Sequence, residues 1–161
     1  AYALERAAKA DIPGYVVPRK EYDSNRAMTV AVVQKLKELE IDLVVLAGCM
    51  IIFTEELVSN YPNAIMNVHP ALIPSFCGAG YYGLHVHEEA LKYGVKLSGA
   101  TVHFVSEECD GGPIIAQKSV AVHEDDTPEI LQKRIMEEAE WKILPAAVEL
   151  VSRDLLALKN V

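Results

Sequence analysis

The run Asp42-Leu43-Val44-Val45-Leu46-Ala47-Gly48 constrains this chain more than any other feature of its sequence. It is apolar without alternation and carries β-branched residues, which suits a strand buried on both faces of a parallel sheet. A helix signal precedes it. Ser24 can cap a helix running to about residue 40, in which Val30, Val33, Leu36 and Leu39 recur at three-residue steps and form an apolar face. Helix followed by buried strand is the order of an α/β domain.

The rest of the chain extends that alternation. Residues 2–10 are good helix formers and read as the tail of a helix already under way. Asp11-Ile12-Pro13-Gly14 breaks it, and Tyr15-Val16-Val17 is a short strand candidate. A short helix over 54–61 leads to an apolar strand over 64–68 that ends in His69-Pro70. The loop 70–83, rich in Gly, Pro and aromatics, is long for a plain connection, which points to function. Residues 84–93 read as helix, and 98–105 and 113–122 as neighbouring strands around Cys109-Asp110-Gly111-Gly112. Thr127-Pro128 supplies an N-cap and N1 proline for a helix to about residue 140. Pro145 interrupts the pattern before a second helical stretch toward Asp154. The expected fold is therefore α/β, a single domain over 1–161 with an open, mostly parallel, Rossmann-like sheet and helices on both faces. Ligands of such sheets bind outside the carboxyl ends of the strands. Gly48, His69 and Asp110 all fall just after expected strands.

Composition narrows the function classes. A formal net charge of −8 argues against nucleic-acid binding, which draws on clustered Lys and Arg. A phosphorylated small substrate stays open, because a few backbone amides can hold one phosphate. No apolar run approaches the roughly 20 residues that cross a bilayer and no signal-peptide pattern opens the chain, so a cytoplasmic protein without membrane contact is expected. Cys49, Cys77 and Cys109 show no paired spacing; neither a zinc site nor a disulfide framework is signalled, and no metal is expected.

Three polar residues stand out at the strand ends. Asn67 and His69 are two apart on one strand and share a face, so amide and imidazole can address one ligand, and Pro70 then turns the chain out of the sheet. A strand-end histidine also has an ordinary structural place. Asp110 lies in a loop with two glycines that let a ligand approach the backbone, although Asp and Gly equally favour a plain turn. His103, in Thr101-Val102-His103-Phe104-Val105, suits a supporting role or that of a satisfied strand histidine. His85 and His87 are two apart at a helix start and face different sides, which argues against a shared metal.

Together, Asn67-Val68-His69-Pro70-Ala71-Leu72-Ile73-Pro74, residues 76–84, Gly99-Ala100-Thr101-Val102-His103-Phe104-Val105 and Asp110-Gly111-Gly112-Pro113-Ile114-Ile115 resemble the phosphoribosylglycinamide formyltransferases of purine synthesis. The resemblance runs through the whole chain. It implies transfer of a formyl group from 10-formyltetrahydrofolate, as cosubstrate, to the amine of glycinamide ribonucleotide. It also implies roles: Asn67 and protonated His69 stabilise the oxyanion, and Asp110 organises the histidine and the proton traffic. Folate would lie between Cys49, Met50, Ile51, Ile52 and Phe53 on one side and Val105, Ser106, Glu107 and Glu108 on the other. The ribonucleotide would pass Gly48, Met50 and Pro70, with Glu140 matching the ribose-binding acid beside the similar Glu137 and Glu138. A monomer or homodimer is implied.

The resemblance further implies an opening strand and a Gly/Ser/Asn-rich phosphate loop ahead of Ala1, about forty residues by the usual domain layout, so a chain lacking its N-terminal part is expected. The rival readings are a formyltetrahydrofolate hydrolase, which passes the formyl group to water, and a non-catalytic folate-binding fragment. A methionyl-tRNA formyltransferase would require basic surface for RNA, which this acidic chain does not suggest.

Overall fold

The computed structural model describes residues 2–159. Ten regular helices and strands follow in the order α1 (Tyr2–Lys9), α2 (Asn25–Glu38), β1 (Val44–Leu46), α3 (Glu55–Asn60), β2 (Ile65–His69), α4 (His85–Tyr93), β3 (Leu97–Phe104), β4 (Ile114–Ala121), α5 (Pro128–Ile135) and α6 (Trp141–Lys159), with a 3-10 turn at Arg19–Glu21 and a π turn at Met136–Glu140. Ser24 caps α2 by accepting from the Ala27 amide at 3.0 Å, and Thr127 caps α5 ahead of Pro128. No described helix is long and apolar enough to cross a membrane.

The four strands form one open sheet in the order β1-β2-β3-β4. The open α/β sheet matches expectation, but its pairing is mixed rather than mostly parallel. β1 runs parallel to β2, whereas β2 with β3 and β3 with β4 are antiparallel. Burial on both faces, which reads as parallel in sequence, arises here because α5 and α6 cover one face of an antiparallel pair while α2, α3 and the loop after His69 cover the other. β1 is shorter than its apolar run and half-buried, pairing among the described residues with β2 alone. Tyr15-Val16-Val17 is not a strand. Pro13 and Pro18 bracket it and remove two ladder donors, and Tyr15 and Val16 are left exposed. The interruption expected at Pro145 sits one turn upstream as the π turn, and α6 carries the proline inside it.

Period-two alternation divides β2 and β3 into two functions. Met66 pairs with Phe104 and Val68 with Val102, and this face packs against Ala147 and Val151 of α6. Met66 and Val102 are fully buried, and each contributes about 1.5–3 kcal/mol of hydrophobic stabilisation. Ala100 carries the same face to Leu131 and Ile135 of α5. The opposite face pairs Asn67 with His103 and His69 with Thr101. Toward the start of β2, Ile65 on that face joins Val33 of α2 and Leu57 of α3 in a separate apolar cluster. Polar side chains occupy the rest of it.

Candidate active site

His69 is the last residue of β2 and is 4% exposed. Its Nε2–H donates to the Phe76 carbonyl at 2.8 Å, and its Nδ1 lies 3.5 Å from Asp110 Oδ2. Both ring nitrogens thus face acceptor oxygens, and the imidazolium, with two donors, satisfies both. His103 sits one strand over, 2% exposed, donating from Nδ1 to the Phe104 carbonyl at 2.8 Å. Its Nε2 lies 3.3 Å from Asn67 Nδ2 and 3.5 Å from Asp110 Oδ1; with a proton it donates to the carboxylate, and without one it accepts from the amide. Each carboxylate oxygen of Asp110 therefore has its own imidazole, and His103 ties the Asn67 amide to the same group.

Asp110 does not reach this place by ending a strand on the same edge as His69. The carboxyl end of β3 lies beside the start of β2, with the Val105 amide bonded to the Ile65 carbonyl at 2.9 Å. The following loop doubles back, and the Phe104 amide bonds the Pro113 carbonyl at 2.9 Å. Gly112 permits that return, because a Cβ there would stand 1.8 Å from the Phe104 carbonyl oxygen. Asp110 itself adopts φ of 56°, a left-handed conformation that Asp tolerates better than most residues. Gly78 donates its amide to Asp110 Oδ2 at 2.9 Å, joining the loop 70–83 to the site. Burial alone would push the Asp110 carboxyl up. The His103 hydrogen bond, the Gly78 amide and the two imidazoles outweigh it and hold the group below its ordinary value.

Two features escaped the sequence reading, and the first is a support. Thr101 Oγ1 donates to the Ala71 carbonyl at 2.7 Å and accepts from the Ile73 amide at 3.1 Å and from Gln117 Nε2 at 2.9 Å. Gln117 also holds the Ile73 carbonyl at 2.9 Å, so the segment after His69-Pro70 is fixed to β3 and β4. The pairing of Thr101 opposite His69 was the available signal, since residues 101 and 103 share a face. The second feature is His87, which supports nothing by hydrogen bond: it is fully buried, with neither ring nitrogen bonded. Burial first, and the charge of His69 second, push it down to about 4. His85 instead lies exposed, stacked on Tyr81 with ring centroids 5.9 Å apart. The two histidines have opposite surroundings, and no group of three potential metal ligands occurs among the described residues.

The remaining predicted residues are less gathered. Phe53 and Val105 pack on one core cluster, while Met50 and Ile52 are 78% and 69% exposed. Val105, Ser106, Glu107 and Glu108 line an open cleft of about 500 Å³ whose far wall is Val58, Ser59, Pro62 and Asn63, not residues 49–53. A larger cleft of about 590 Å³, lined by Lys37, Glu40, Asp42 and Lys159, contains none of the polar cluster. Chemistry rather than volume locates the site. Pro70 adjoins His69 and is half-buried, and Gly48 follows β1 in a left-handed conformation. Glu140 closes the π turn, half-buried and pushed up by burial, whereas Glu137 and Glu138 are exposed. Among these three acids Glu140 alone is turned into the protein.

A half-buried carboxylate between two buried imidazoles, with an amide alongside, is suited to placing a cation and a neutral donor against a developing oxyanion. The formyl transferase family model matches residues 1–148. The chain is 38% identical over 160 residues to the phosphoribosylglycinamide formyltransferase of Haemophilus influenzae, covering 99% of this chain and 73% of that protein. It is 42% identical to the chloroplastic phosphoribosylglycinamide formyltransferase of Arabidopsis thaliana over 83% of this chain and 46% of that one. Against the trifunctional purine biosynthetic protein adenosine-3 of Gallus gallus it is 42% identical over 92% of its length but spans 14% of the relative, so it corresponds to only part of several of these proteins. The crystal structure of glycinamide ribonucleotide transformylase 1 from Symbiobacterium toebii superposes with a TM-score of 0.89 at 40% identity, over 96% of this chain and 70% of that one. On sequence and structure alike, the chain belongs to the formyl transferase family.

Proposed function

We propose that this protein transfers the formyl group of 10-formyltetrahydrofolate to the amine of glycinamide ribonucleotide. The observation that carries the reading is the set His69, Asp110, His103 and Asn67, two buried imidazoles with a half-buried carboxylate and amide, within mutual reach at the end of β2. The relatives' names supply the acceptor. The amine attacks the formyl carbon and gives a tetrahedral centre whose oxygen bears the new charge. Asn67 donates an amide hydrogen bond to that oxygen, and His69 exchanges the Nε2–H bond to the Phe76 carbonyl for a charge-assisted one to the oxyanion, roughly twice as strong as a neutral bond. Asp110 holds the imidazolium in place through Nδ1, and His103 orients Asp110 and Asn67. Collapse breaks the bond from carbon to the folate nitrogen, and the proton released by the amine passes to that nitrogen. Holding both substrates together supplies much of the remaining acceleration.

The folate is assigned to Cys49, Met50, Ile51, Ile52 and Phe53 and to Val105, Ser106, Glu107 and Glu108, largely through backbone groups. Apart from Val105, whose amide bonds the Ile65 carbonyl, these residues lie outside the sheet pairing, which supports this reading. Gly48, Met50, Pro70 and Glu140 are assigned to the ribonucleotide. An assay with and without glycinamide ribonucleotide tests the reading. Product formation that requires the amine is expected; formyl release indifferent to it would favour the hydrolase.

A further inference from the structure

We propose that Cys77 and Cys109 form an oxidisable thiol pair at the mouth of the site, converted by peroxide into a disulfide that clamps the loop carrying Asp110. The two residues come from separate loops that converge on one atom. Asp110 Oδ2 accepts the Gly78 amide, one residue beyond Cys77, at 2.9 Å, and the Cys109 thiol is directed at the same oxygen at 3.9 Å. Cys77 Sγ contacts the Pro74 carbonyl at 3.3 Å within its own loop. Cys109 is exposed and Cys77 partly so, which leaves the pair open to a small oxidant. Cys49, the third cysteine, contacts the Ile51 carbonyl on its own segment and serves as an internal comparison.

Burial and the Asp110 charge push both thiols up, with Glu108 adding to Cys77 and Cys77 adding to Cys109. Each sulfur therefore stays protonated and slow to react under ordinary conditions. Under peroxide, two S–H bonds and the O–O bond break, one S–S bond forms, and two waters leave. A bridge requires the Cα atoms within about 7 Å, so its closure fixes the backbone next to Asp110. The carboxylate is then drawn away from His69 and His103.

The bond itself does not depend on the proposed reaction; its effect on turnover does. The experiment treats the purified protein with hydrogen peroxide, blocks remaining thiols with N-ethylmaleimide, and maps unreduced peptides by mass spectrometry alongside the formyltransfer assay. Expected are the loss of two hydrogens, a Cys77–Cys109 cross-linked peptide, maleimide on Cys49, and a drop in turnover of about tenfold or more that dithiothreitol reverses. Cys77→Ser and Cys109→Ser, each compared with its own untreated activity, should yield no such peptide and resist peroxide, whereas Cys49→Ser should still cross-link. Maleimide or added oxygen on both Cys77 and Cys109, a bridge through Cys49, or a formed bridge with undiminished turnover would each overturn the proposal. Should the untreated protein transfer no formyl group, the functional reading fails, while the peptide map still decides whether the thiols pair.

Discussion

Replacing His87 by leucine separates the cost of burying an unpartnered imidazole from every other titration in the protein. The ring is fully buried with both nitrogens unbonded, and is pushed from 6.5 down to about 4. Between those values the unfolded chain binds a proton that the folded chain refuses. Stability is therefore lost as pH falls through that window, and the loss is complete below its lower end. At 1.36 kcal/mol per unit, the window corresponds to about 3 kcal/mol, most of it felt by about pH 5. Leucine fills similar space without polar atoms, so at neutral pH the variant should be as stable as the parent or up to about 1 kcal/mol more so. Urea unfolding followed by circular dichroism, from about pH 7 to about pH 4.5, gives the two slopes. The parent should lose about 2–3 kcal/mol more than His87→Leu over that range. Parallel slopes would refute the reasoning, since they would mean that the ring is hydrated or bonded in solution.

Four further outcomes follow from the geometry. Asp110→Asn keeps the shape but removes the charge facing both imidazoles, and kcat should fall by about a hundredfold or more in steady-state assay with KM little changed. The same carboxyl, held below its ordinary value, stabilises the fold above the unfolded value near 3.8, and that contribution is lost as pH falls through the folded value; Asp110→Asn should therefore remove part of the acid-side slope in thermal melts. Thr101→Val strands the Ala71 carbonyl and the Ile73 amide, and urea unfolding should show a loss of about 2–4 kcal/mol. Gly112→Ala forces a Cβ into the Phe104 carbonyl, and activity should fall in assays run well below the melting temperature because the Asp110 loop can no longer fold back.

The sequence made the two-residue spacing of Asn67 and His69 legible, and with it their shared face, because alternation along a strand is a local property. It could not give the direction of β3. Residues 98–103 are buried on both faces, and that pattern is common to parallel strands and to antiparallel strands covered by helices. Asp110 was identifiable as an acid between glycines, yet its route back over β3 rests on Gly112 against a backbone oxygen that no local pattern names. Thr101 and Gln117 were missed for a related reason: they bond main-chain atoms of residues 71–73, and any residue type offers those. His87 and exposed His85 look alike in sequence, and only the packing of α4 distinguishes them.

One consequence of the register ties folding to chemistry. The alternation that sends Met66, Val68, Val102 and Phe104 into the α6 core sends Asn67, His69, Thr101 and His103 to the other face. A slip of one residue between core and sheet would exchange the two sets, burying polar groups without partners and exposing the apolar ones. The proposed site therefore needs no separate positioning device for three of its four side chains, because the hydrophobic core already fixes their face. Asp110 is the exception, arriving on a loop closed by a glycine and two hydrogen-bonded contacts. The irregular pairing of β3 with β4 at Val102 and His103 falls beside that loop, where a bulge can re-aim the chain without disturbing the β2–β3 pairs. Loss of activity should thus be easiest to produce by disturbing the loop 105–113, and hardest to separate from unfolding when the perturbation lies in β2 or β3.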